Sequence, residues 1–154
     1  MTALAVALLI GVIAGLRALT APAAVAWAAY AGWLTLSGSW LNFLSHSVTP
    51  WVFTVLALGE LVTDQLPSTP SRTVPVAFGT RIVSGGICGA AIGFDSGALW
   101  SGAIVGVIGA IIGTLGGRAA RGTLAAYFGK DRPAAFVEDA VAIGGACLIL
   151  MATR

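Results

Sequence analysis

The sequence predicts an all-α, polytopic transmembrane bundle of about six spans plus a short re-entrant or interfacial helix. Three observations carry that expectation. Hydrophobic residues make up 58% of the 154 and charged residues 9%, whereas a soluble domain carries about 25% charged residues. Apolar stretches near the length needed to cross a bilayer, about 20 residues, recur along the chain. Many of its 21 glycines fall inside those stretches at helical spacing, which suits helix contact in lipid and weakens a helix in water. Residues 1–154 read as one integral membrane domain.

The first helix is expected from Thr2 to Leu16. No basic segment precedes it, so it reads as a retained span and not as a cleaved leader. Ala7, Gly11 and Gly15 form a row of small residues for close helix approach. GLRALTAP then interrupts the run, and Pro22 suits the start of a second helix, Ala21–Leu36. Trp33, Trp40 and Trp51 bracket the connection Ser37–Pro50, which marks one membrane face because tryptophan prefers the boundary. A third helix, Trp51–Leu66, carries Glu60 and Asp64. The polar turn Pro67–Thr73 leads to a fourth, Val74–Phe94, with Arg81 and the row Gly85, Gly89, Gly93.

The fifth helix, Ala98–Leu115, holds the strongest packing signal. Gly102, Gly106, Gly109, Gly113 and Gly116 make one bare stripe, a contact surface in a membrane. Residues 119–129 read as the short extra segment, stopped by Gly129 and the run Lys130–Pro133. The last span is Ala134–Ala152, with Glu138 and Asp139 in its first turns. Counting bases puts Arg17, Arg72, Arg118 and Arg121 in the cytoplasm and both termini outside.

A weak internal repeat divides the chain into halves 1–95 and 96–154. IGVIAG at Ile10–Gly15 matches IGAIIG at Ile108–Gly113, and GGIC at Gly85–Cys88 matches GGAC at Gly144–Cys147. Transporters are often built from such repeats, with broken helices at the site.

The stretch from Gly59 to Arg81 is the part that apolar composition does not explain. Glu60 and Asp64 are four apart and share a helix face. Charges inside a membrane are costly and mark functional sites. Facing carboxylates in a low dielectric can bind a cation or carry a proton; pairing with Arg81 or Arg17 is the structural alternative. Arg17 and Arg118 stand at helix breaks, where arginine either binds an anion or snorkels to the headgroups. Glu138 and Asp139 at a helix start suit solvated acids, or a second carboxylate site. The candidate ion, proton or substrate residues are therefore Glu60, Asp64, Arg81, Arg17, Glu138, Asp139 and Arg118. The candidate packing residues are Gly102, Gly106, Gly109 and Gly113.

Cys88 and Cys147 sit in apolar surroundings as packing residues, and the one histidine, His46, lies in a loop. The sequence suggests no metal site, no cofactor, no catalytic set and no nucleic-acid surface. GLRALT (Gly15–Thr20), GELVTDQLP (Gly59–Pro67), SRTVP (Ser71–Pro75) and RIVSGGICGAAIG (Arg81–Gly93) resemble a family of small bacterial integral membrane proteins that is a domain of unknown function. Gln65 stands where that family often has lysine. The resemblance implies a membrane location and supplies no activity.

The expected function is transport of, or a channel for, a small solute or ion in the bacterial cytoplasmic membrane. Coupling through intramembrane carboxylates is expected, and so is a homo-oligomer, since about 150 residues make too thin a wall around a path. The alternatives are a non-transporting scaffold or lipid-organising protein, and a lipid-modifying membrane enzyme.

Overall fold

A computed structural model describes residues 1–64 and 74–152. The turn expected at 67–73, the motif SRTVP up to Thr73 and the end of the expected third helix lie outside the described residues. Those described are all-helical, without strands. The α-helices are α1 (Ala3–Leu16), α2 (Thr20–Tyr30), α3 (Thr49–Thr63), α4 (Pro75–Asp95), α5 (Leu99–Phe128) and α6 (Asp131–Met151), with a 3-10 turn at Trp40–Ser45. Three of them, α4, α5 and α6, are long and apolar enough to cross a membrane.

The shorter helices end for identifiable reasons. Thr2 caps α1 by accepting from Ala5 N–H. Pro22 lacks an N–H and cannot bond the carbonyl of Ala18, so α1 cannot run on into α2. At the other end of α2, Gly32 adopts a positive φ of 76°. Its N–H donates to Ala29 O, and that of Trp33 donates to Ala28 O. This closing motif needs glycine at the left-handed position. It stops the helix at Tyr30, short of the expected Leu36.

A second correction concerns residues 119–129. They form no separate segment: α5 runs unbroken for 30 residues and stops at Gly129, whose φ is 67°. Gly116, Gly117 and Gly122 lower helix propensity, but no proline interrupts the run before Pro133. Consequently α6 starts at Asp131, and Glu138 and Asp139 lie two turns inside it and are buried. They are not solvated acids of a first turn.

The glycine stripe of α5 packs within the molecule and serves two neighbours. A Cβ on Gly102 or Gly106 would strike the backbone oxygen of Gly89 or Gly85 on α4. One on Gly109 or Gly113 would strike the oxygen of Leu8 or Val12 on α1. Backbone therefore lies on backbone along both seams, the close approach that small residues permit. Gly116 has nothing near its missing Cβ. Along these contacts α1 runs parallel to α5 and α4 antiparallel to both. The two IG-x-x-x-G segments of the sequence repeat thus lie side by side in α1 and α5.

The remaining helices pack around this trio. α6 packs on α5, α1 and α2, and α3 packs on α2 and the 3-10 turn. In α3 only Pro50 and Ala57 are buried. It is a peripheral helix pinned at three points: Trp27 Nε1 donates to Thr54 Oγ1 at 3.0 Å, Trp51 meets Trp27 edge-on at 5.0 Å, and two carboxylates reach inward at its far end. The short turn between the third and fourth helices would suggest that α3 and α4 lie side by side, but they are not among the helix pairs that pack closely. Asp64 and Val74 are ten residues apart, enough chain to reach about 33 Å, so the link imposes no adjacency.

Candidate functional site

The break between α1 and α2 leaves backbone groups that need partners. Helix ends carry unsatisfied N–H and C=O groups, and buried ones are expensive. Glu60 of α3 supplies acceptors for two of them. Ala18 N–H donates to its Oε1 and Leu19 N–H to its Oε2, both at 2.8 Å. A carboxylate at the start of α2 is also favoured by the helix dipole. On the other side of the break, the buried Thr114 hydroxyl of α5 stands 3.2 Å from Gly15 O and 2.8 Å from Ala110 O.

Between these two supports lies Arg17, with no exposed side-chain surface. Its Nη1 is 2.6 Å from Asp64 Oδ2, an ion pair whose angles fall outside those of a hydrogen bond. Its Nη2 donates to Asp139 Oδ1 of α6. Its Nε has no hydrogen-bond partner among the described residues. One cation thus joins the ends of α1 and α3 to a point two turns inside α6.

Arg121 of α5 extends the cluster outward. Its Nη1 donates to the same Asp64 Oδ2 at 2.7 Å and lies 3.5 Å from Glu138 Oε2. Its Nε and Nη2 bind the two oxygens of Asp131 at 2.9 and 2.6 Å. That fork is the bidentate geometry arginine favours and lysine cannot reproduce. Exposure falls along the series: 61% at Asp131, 15% at Arg121, 14% at Asp64, none at Arg17. Acids and bases alternate from the surface into the interior.

The structure brings together Arg17, Glu60, Asp64, Glu138 and Asp139 from the candidate residues. Arg81 is buried on α4, the helix that packs on α1 and α5. It was expected to pair with Glu60 or Asp64; Glu60 binds backbone N–H groups instead. Arg118 is exposed on α5, one turn before Arg121. Sequence reasoning missed Arg121, Asp131 and Thr114. The first two sit ten apart across a glycine-ended helix. That pattern reads as a hairpin pair once 119–129 is taken as a continuation of α5. Thr114 carries no such signal, because its partner is a carbonyl 99 positions away.

Glu60→Gln tests the support of the break. An amide offers one acceptor where the carboxylate offers two, and it brings its own N–H against a backbone donor. We expect a loss of about 1–3 kcal/mol, the cost of one unsatisfied buried donor. It would be read from thermal unfolding in detergent, with Glu60→Asp failing to restore it because the shorter stem cannot span both N–H groups. Wild-type stability in both variants would mean that the break holds itself.

Comparison with family models, curated proteins and solved structures returns no match.

Proposed function

We propose that the protein is a small multi-pass membrane transporter or channel for a small solute or ion, working as a homo-oligomer, in which Asp64 and Asp139 exchange a proton or cation beside Arg17. The observation that carries this reading is the graded series Asp131, Arg121, Asp64, Arg17, Asp139, which leads from an exposed carboxylate to a fully enclosed guanidinium. Burying such a network usually costs more than packing apolar residues in its place. Ionisable groups retained at that cost within a membrane are functional sites by default. The site lies at the turn between α1 and α2, where freed backbone groups and buried charges meet.

In this reading the six α-helices are six crossings, with Arg17, Arg121, Lys130 and Arg132 at the end that the positive-inside rule makes cytoplasmic. Glu60 takes a positioning role in this reading. The exchanging groups are Asp64, shared by two arginines, and Asp139, the deeper acid.

The test is reconstitution in vesicles holding a pH-sensitive dye, challenged with a panel of ions. Asp139→Asn and Asp64→Asn should each abolish coupled flux while the protein still elutes as a folded species. Unchanged flux in both would overturn the reading. A non-transporting scaffold is the second reading, supported by the way Glu60 satisfies backbone donors and Arg121 is held by three acids. It predicts no flux of any ion through the wild type.

A further inference from the structure

On α6, Arg132, Phe136, Ala140, Ile143 and Cys147 are all exposed and recur at four, four, three and four residues. That spacing places them on one face. The stripe begins with a cation and continues apolar. Its lower half enters a groove between α2, α3 and α6. One lobe, about 250 Å³, is lined by residues including Ala23, Leu58, Leu61, Ile143 and Cys147. The next, about 350 Å³, shares Ala24 and Cys147 with it and reaches Trp27 and Met151. Among the described residues, Thr20 and Thr54 are the only hydroxyl-bearing ones in the two linings.

The head of the stripe is basic. Lys130 and Arg132 are exposed and have no ion-pair partner among the described residues. Tyr127 and Phe128, in edge contact at 5.4 Å, stand beside them. Their height follows from the length of α5. Thirty residues rise about 45 Å, which matches about 40–45 Å for a bilayer including its headgroups. Trp100 near one end and Tyr127 near the other are 79% and 84% exposed, as in the aromatic belts of both faces. Lys130 and Arg132 therefore stand at headgroup level.

We propose that this face binds an anionic phospholipid of the cytoplasmic leaflet, with its phosphate on Lys130 and Arg132 and one acyl chain along Phe136 and Ala140 into the groove. The proposal rests on membrane residence and not on transport. Charge complementarity selects the headgroup, and the apolar stripe that runs from Arg132 through Phe136 and Ala140 to the groove selects a lipid over a free anion. Arg132 lies in the first turn of α6, where a cation opposes the helix dipole. Its replacement therefore carries no cost to the fold from that source.

Cys147 lines both lobes while Cys88 is fully buried, so the wild-type protein reports on the groove through one thiol. The experiment is the rate of maleimide modification of Cys147 in detergent. It is measured with added phosphatidylglycerol, with phosphatidylcholine of the same chains, and with inorganic phosphate. Phosphatidylglycerol should slow the reaction at lower concentration than phosphatidylcholine, and phosphate should have no effect. Lys130→Gln and Arg132→Gln should each reduce that preference about fivefold, since a basic residue near an anionic surface contributes about a factor of that size. Salt should reduce it in the unmutated protein, which keeps the test independent of how the variants fold. Equal protection by both lipids, protection by neither, or protection by phosphate alone would overturn the proposal. Failure of ion flux would leave these outcomes untouched.

Discussion

Gly106→Leu is expected to prevent the bundle from assembling. Gly106 touches α4 through Gly85 and Gly89, and a Cβ there would overlap the Gly85 oxygen. The same residue lies under Gly11 of α1, whose own Cβ would strike the Gly106 oxygen. No rotamer relieves an overlap with backbone, so a helix must move. Overpacking a core costs about 1–3 kcal/mol, occasionally more, when side chains can yield; here we expect the upper end or beyond. Gly109→Leu should behave alike on the α1 seam. Gly116→Ala is the control on the same helix. It meets nothing within 4 Å and should stabilise by up to about 1 kcal/mol through helix propensity. Detergent-solubilised yield and thermal unfolding of the three variants would separate them. Equal behaviour of Gly106→Leu and Gly116→Ala would mean that the seams are not closed.

The stripe itself was readable from spacing alone, because small residues at four and three must share a face. Its division between two partners was not. Nothing in Gly102, Gly106, Gly109 and Gly113 says that the missing Cβ atoms of the first pair face α4 and those of the second α1; that depends on the crossing of three helices. The interruption at GLRALTAP was likewise readable, since Pro22 forbids a continuous helix. What fills the gap was not. Arg17 at a helix end most often snorkels toward headgroups, yet here it is enclosed by α3 and α6. The pairing of Glu60 was sought in Arg81 by chain proximity. Freed N–H groups at Ala18 and Leu19 are invisible to a search for opposite charges, and they took the carboxylate. Side chains that answer backbone needs leave little trace in a sequence, which is why Thr114 was also missed.

Arg17→Ala should be the most damaging substitution among the charged residues. The guanidinium touches both Asp64 and Asp139, and it does so without any contact with solvent. Removing one partner from a buried ionic group costs about 3–5 kcal/mol, because the charge left behind cannot be rehydrated. Asp64 keeps Arg121, so the loss should divide unevenly between the two carboxylates. A double-mutant cycle tests that division. Asp139→Asn introduced into Arg17→Ala should recover part of the lost stability, whereas Asp64→Asn should also weaken the hold on Arg121. Coupling within such a network is about 0.5–3 kcal/mol, large enough to resolve by thermal unfolding in detergent. Arg17→Lys should fail as well, since a single ammonium cannot reach two carboxylates on different helices with the spread of a guanidinium. If Arg17→Ala unfolds at the wild-type temperature and Asp139→Asn adds nothing, the α1–α2 break is held by Glu60 and Thr114 alone. The ionic series would then end at Asp64, and Asp139 would lose its place as the inner exchange group.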